Sequence, residues 1–189
     1  MKDFTSIEKK LKNLNDEIEN FAKSLKFQIV VQEFTFSKLT EDLITEQIKK
    51  IDFQGIYFLE IHKGSEISDF ENWRQNFEKK WKKDIVKKSP LISPKRLKNN
   101  SKFIDFNTVE WLPFYIGKSQ NIKKRIKEHL YSLSIESSTS ALKLNHRINL
   151  HEEIFRLSIV KIDTKHYDLV MHKVEQVLRD KYNPIIGKQ

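Results

Sequence analysis

At 189 residues and 22.6 kDa the chain has room for one domain with a small attachment, not for a large enzyme with accessory modules. Hydrophobic residues at 38% are enough for a core, and the formal charge of +9 suits a polyanionic partner, nucleic acid before an acidic membrane surface. The absence of cysteine excludes a disulfide framework, a thiol nucleophile and Cys-ligated zinc. No apolar run approaches the roughly 18 residues of a membrane span, and the start of the chain is too polar for a leader, so no membrane partner and a cytoplasmic location are expected.

The charge is unevenly placed. Residues 1 to 54 are close to neutral at −1, whereas residues 55 to 189 carry +10. Within them, residues 63 to 102 hold 12 basic against 5 acidic side chains, among them Lys79, Lys80, Lys83, Lys95 and Arg96. A local excess of this kind suits a surface that tracks a phosphate backbone, because each phosphate neutralised releases counterions. A solvated lysine face is the plainer alternative.

In chain order, Thr5-Ser6-Ile7-Glu8 has the pattern of a capping box at a helix start. The apolar residues that follow, Ile7, Leu11, Leu14, Ile18, Phe21 and Leu25, alternate four and three apart. That spacing fits either the seam of a short coiled coil, hence a homodimer through Ile7 to Leu25, or a helix docked on its own domain. Residues 27 to 36 read as a strand, and Thr40 caps a helix running to about Lys50. Residues 1 to 52 thus form an extension of helix, strand and helix, followed by a second unit over 53 to 189.

Gly55 to His62 is a strand rich in Ile, Tyr, Phe and Leu. Phe70, Trp73, Phe77, Trp81 and Ile85 then mark one face of a helix, expected in the core rather than stacked on exposed bases. A basic loop over 89 to 101 leads to a strand ending at Phe114-Tyr115-Ile116-Gly117. Ser119 or Asn121 caps the next helix, whose buried stripe is Ile122, Ile126, Leu130 and Leu133, with Arg125 and His129 on its margin. Residues 155 to 162 read as a strand. Tyr167 to Tyr182 reads as a helix with Met171, Val174 and Leu178 inward, Glu175 at the edge of the apolar arc, and Pro184 as the stop.

Gly55-Ile56-Tyr57 and Tyr115-Ile116-Gly117, followed by a helix bearing Arg125 and His129 and a late helix bearing Glu175 before a proline, resemble the signature of the GIY-YIG nuclease family. The resemblance implies an α+β fold, with a small antiparallel sheet of about three strands flanked by helices. To it are added the N-terminal helical extension and a long helical, basic insertion at about 63 to 110 between the half motifs. It also implies a DNA endonuclease using one Mg²⁺ or Mn²⁺ ion per active site. By position, Tyr57 and Tyr115 resemble the motif tyrosines, Arg125 the helix arginine, His129 the histidine of some members, and Glu175 the metal-binding glutamate. Tyr57 is then expected to contact or deprotonate the water, with His129 relaying the proton, and Tyr115 to support the phosphate, or the two tyrosines in the reverse order. Lys118 follows the motif and is a candidate phosphate contact.

These residue types suit the chemistry independently. Phosphodiester hydrolysis needs an activated water and positive charge around an anionic transition state. Arg125 supplies a permanently charged fork of donors. Glu175 supplies a hard oxygen ligand of the kind Mg²⁺ takes, with water and phosphate oxygens as the rest. Taken singly, each has a structural reading: tyrosines of a half-buried strand, a solvated helix face in which Arg125 pairs with Glu128, a surface glutamate.

Two features depart from the family pattern. The half motifs lie 58 positions apart rather than across a short hairpin, and where a late asparagine is usual after the proline, Asn183 precedes it. His146, Arg147 and His151 are candidate DNA contacts or exposed loop and helix residues. With only 14 residues beyond Glu175, sequence recognition is expected from the amino-terminal segment and the insertion, the plan of a compact restriction-type enzyme. The alternatives are a homing or repair nuclease, and a non-catalytic nucleic-acid-binding protein on the same scaffold.

Overall fold

The computed structural model describes residues 4–38, 40–65, 67, 69–86, 106–131 and 141–187, the side chains of 83–86 excepted. Four strands form one antiparallel sheet: β1 (Gln28–Phe34), β2 (Gly55–His62), β3 (Trp111–Ser119) and β4 (Phe155–Lys161), in the order β1-β4-β2-β3. The sheet therefore has one strand more than expected. The addition is β1, from the amino-terminal extension, which pairs with β4 through Gln28↔Ile159 and Phe34↔Phe155. The extension contributes to the sheet itself.

Helices cover both faces, which explains why β2 is apolar at almost every position rather than at alternate ones. Its Ile56 and Phe58 pack with Ile116 against α1 (Thr5–Ser24) and α5 (Tyr167–Tyr182). Its Tyr57, Leu59 and Ile61 join the larger core with residues of α2 (Glu41–Gln47), α3 (Phe70–Val86) and α4 (Ile122–Leu130). Successive strand residues point to opposite faces, so one strand can serve two cores only if both sets are apolar. The exception, Glu60, is buried and accepts two hydrogen bonds from Arg156 beside it on β4, at 2.6 and 2.7 Å.

The aromatic stripe of α3 is core. Phe70, Trp73, Phe77 and Trp81 stack in sequence, centroids 5.2 to 6.1 Å apart, and reach Phe114 of β3. Trp73 and Trp81 are buried, so neither is free to stack on a base. Thr40 caps α2 by accepting from Leu43 N, as its position suggests. The N-cap of α1 is Phe4, with no side-chain cap bond there, one residue before the Thr5 at which the capping pattern starts. The carboxy-terminal half of α1 docks on its own domain, with Ile18 and Ala22 against Met171, Val174 and Leu178 of α5. Ile7, Leu11 and Leu14 stay 50%, 54% and 41% exposed.

Candidate active site

The β2–β3 pairing joins the two half motifs. Tyr57 lies opposite Gly117, and Tyr115 lies opposite Leu59, so the two tyrosines are diagonal neighbours on one face. Their ring centroids are 6.1 Å apart. Both signature glycines are imposed by close approach. A Cβ on Gly55 would lie 2.1 Å from the carbonyl oxygen of Val160 on β4, and one on Gly117 would lie 2.2 Å from the hydroxyl of Tyr57.

α4 lays its inward face over this pair. Asn121 is the N-cap, accepting from Lys124 N at 2.9 Å, and Ile122, Ile126 and Leu130 are buried as the stripe predicts. His129 lies deeper than the expected margin: it is fully buried, 4.9 Å from the Tyr115 ring and 5.3 Å from the Tyr57 ring between centroids. Its Nε2 is 2.9 Å from the Tyr57 hydroxyl, and its Nδ1 accepts from the backbone N–H of Leu142 at 3.1 Å. One turn earlier Arg125 pairs with Glu128 at 2.6 Å, and its charge favours the ionised form of Tyr57.

α5 lies against the other face, and β3 is the edge strand. From there Glu175 acts electrostatically on both Tyr57 and Tyr115, and also on Tyr167, whose pKa is pushed up to about 12 by burial first and by Glu175 next. Among the described residues no three histidines, cysteines or carboxylates stand together as a metal cage. The Glu175 carboxylate is a hard oxygen donor of the kind Mg²⁺ or Mn²⁺ takes, and a cation held by it would keep water or phosphate oxygens as further ligands.

Burial pushes Tyr57 well above the ordinary tyrosine range, and the neighbouring Tyr115 adds to this, while Arg125 opposes it. Tyr115 is raised in the same way, by burial first. A phenol whose folded pKa exceeds its unfolded value of about 10 contributes stability in full below that pH and loses it as pH rises further. The expected result is a fall in melting temperature above pH 10 that is shallower in Tyr57→Phe. Parallel alkaline melting curves for the two proteins would contradict it.

Lys118 lies beside Gly117 on β3 with its Nζ 5.6 Å from the ring centroid of Tyr167, at the edge of this group. Asn183 is the C-cap of α5 in the left-handed conformation at φ 51°, where asparagine and glycine are favoured, and donates its N–H to Arg179 O at 2.8 Å. Lys79 is exposed, and Lys80 is paired with Glu153 near His62, at the end of β2 away from Tyr57. Lys95, Arg96 and the side chain of Lys83 lie outside the described residues. Arg147 is a correction to its reading as a DNA contact: it is fully buried, 3.5 Å over the ring of Trp81, and donates to Leu142 O. His146 and His151 are engaged with the backbone carbonyls of Tyr131 and Asn145. Arg179 was not foreseen. It lies one turn beyond Glu175 and opposes the rise in the Tyr115 pKa, and its spacing from Glu175 in an arginine-poor chain was the available signal.

Residues 108–189 match the family model described as the GIY-YIG catalytic domain. The match spans 82 of the 189 residues, and over them the chain is similar to that family. The GIY half at Gly55 to Tyr57 lies outside the matched residues and is brought beside them by β2–β3 pairing. No curated protein and no solved structure gives a significant match to the chain. Among the described residues no helix is long and apolar enough to cross a membrane.

Proposed function

We propose that the chain is a divalent-metal-dependent DNA endonuclease of the restriction type. The observation that carries this reading is the meeting of Tyr57 from β2, Tyr115 from β3, Arg125 and His129 from α4 and the field of Glu175 from α5 at one end of the sheet. Arg125 holds a phosphate oxygen and the charge that builds on it. Tyr57 orients the attacking water and takes its proton once its own has left, a step that Arg125 favours by stabilising the phenolate. Tyr115 supports the phosphate. Glu175 would hold the cation, whose chemistry when bound is to polarise the phosphoryl oxygen and acidify water.

The restriction assignment rests on the charge surplus over residues 63 to 102, set between the half motifs, as the DNA-gripping part. A cytoplasmic location and pairing of two copies through the Ile7 to Leu25 helix belong to the same proposal. The pairing draws on the exposed Ile7, Leu11 and Leu14, and would bring two sites to two strands. The test is cleavage of supercoiled plasmid and of genomic DNA by the full chain in Mg²⁺ or Mn²⁺. Discrete fragments, abolished by chelation and in Glu175→Ala, support the reading. Binding without cleavage in either metal would make the protein a non-catalytic DNA binder.

Lys118→Ala is expected to weaken DNA binding across all sequences. It should also lower the slope of log affinity against log salt by about one, the signature of one lost phosphate contact. An unchanged slope in a titration from low to moderate salt would remove Lys118 from the interface.

A further inference from the structure

We infer that His129 is held as a neutral imidazole whose Nε2–H donates to Tyr57, so that it positions and polarises the phenol oxygen and does not receive its proton. The inference rests on the nuclease reading for its meaning but on hydrogen-bond geometry for its content. The backbone N–H of Leu142 has no choice but to donate, and its acceptor is His129 Nδ1 at 3.1 Å. An imidazole nitrogen that accepts carries no hydrogen, so in the neutral ring the proton sits on Nε2. That nitrogen is 2.9 Å from the Tyr57 hydroxyl and must be the donor in this contact.

Both nitrogens are therefore committed. For His129 to act as a base toward Tyr57, Nε2 would first have to lose its hydrogen, and the hydrogen would have to move to Nδ1, which faces an N–H. The ring is fully buried, so no water replaces the Leu142 contact without a local opening. Segment 141 to 143, which follows α4 in the chain, acts as a clamp on the tautomer. Its Ala141, Leu142 and Lys143 are themselves fully buried, which fixes the Leu142 N–H in place.

Tyr57 then has the Nε2–H of His129 on its oxygen, and the positive charge of Arg125 acts on it as well. Donors to the oxygen favour the phenolate, so His129 assists ionisation without titrating. The hydroxyl hydrogen of Tyr57 is left to a direction away from His129. The relay through His129 implied by the family resemblance has no place in this arrangement, because neither ring nitrogen is open to receive the proton.

Two measurements on the full chain test this. Imidazole nitrogen-15 shifts of His129 at neutral pH, assigned by comparison with His129→Gln, should show a protonated Nε2 and a bare Nδ1. A protonated Nδ1 overturns the inference whether or not the protein cuts DNA. In plasmid cleavage with Mg²⁺, His129→Ala should lose about 10- to 100-fold, the worth of one hydrogen bond to an ionising group. His129→Gln, whose amide N–H can donate at the same place, should recover about tenfold of that loss. A relay cannot be rescued by an amide, so Gln as damaging as Ala in a folded protein would overturn the inference. If wild type leaves plasmid uncut, the nuclease reading fails and the nitrogen-15 result still decides the tautomer.

Discussion

Arg125→Ala and Glu175→Ala should each slow DNA cleavage by on the order of 10²-fold or more while the protein stays folded. The magnitude follows from what each group does at the transition state. A donor or cation aimed at a developing oxyanion in a water-poor site is worth about 2.7–4 kcal/mol, and that loss appears in the rate rather than in substrate affinity. Arg125 is also the charge that restrains the rise of the Tyr57 pKa, so its removal leaves the phenol harder to ionise as well. In the proposed mechanism Glu175 would hold the cation, so its loss should also remove the stimulation of cleavage by Mg²⁺ or Mn²⁺. Folding survives because both side chains sit at partly exposed positions of helices, where alanine is well tolerated. The paired measurement is single-turnover cleavage with thermal melting. An unfolded variant would mark the residue as structural, and a folded variant with the wild-type rate would remove it from the chemistry.

Gly117→Ala should be comparably damaging by a different route. The new methyl carbon would lie 2.2 Å from the Tyr57 hydroxyl oxygen, 2.5 Å from Cζ of the same ring and 3.0 Å from Cε1 of Tyr115. Ordinary contact needs well over 3 Å, so the Tyr57 ring has to shift by about an ångström. In doing so it pulls the hydroxyl off His129. A displacement of that size in a reacting group costs about 10²-fold in rate. Forcing a buried ring aside costs about 1–3 kcal/mol of stability in addition. The two losses should appear together in melting and cleavage data. Wild-type values for both would show that Tyr57 is not held against the backbone of β3.

The local pieces were legible for local reasons. β2 begins and ends at Gly55 and His62, and α5 at Tyr167 and Tyr182, where the residue pattern places them, because β-branched and aromatic content, helical spacing and a terminal proline act within a few positions. The half motifs could be paired on paper because their residue types and order are distinctive. Where competing local signals exist the reading slipped: Thr5 carries a cap pattern, yet Phe4 takes the place, and a shift of one residue costs little at a solvated helix end.

Residue types and spacing alone determined that two tyrosines, an arginine, a histidine and a glutamate were candidates for one chemistry, and that the basic surplus falls between the half motifs. Only tertiary structure decided that β1 from the extension completes the sheet, that Arg147 is a core residue over Trp81, and that His129 is buried with both nitrogens engaged. The reason is reach. Periodicity reports which side of an element is apolar. The partner that covers a side, and which nitrogen of a ring meets a donor, depend on contacts between residues such as Tyr57 and His129 that are 72 positions apart. Those contacts exist only once the strands have paired and α4 has closed over them.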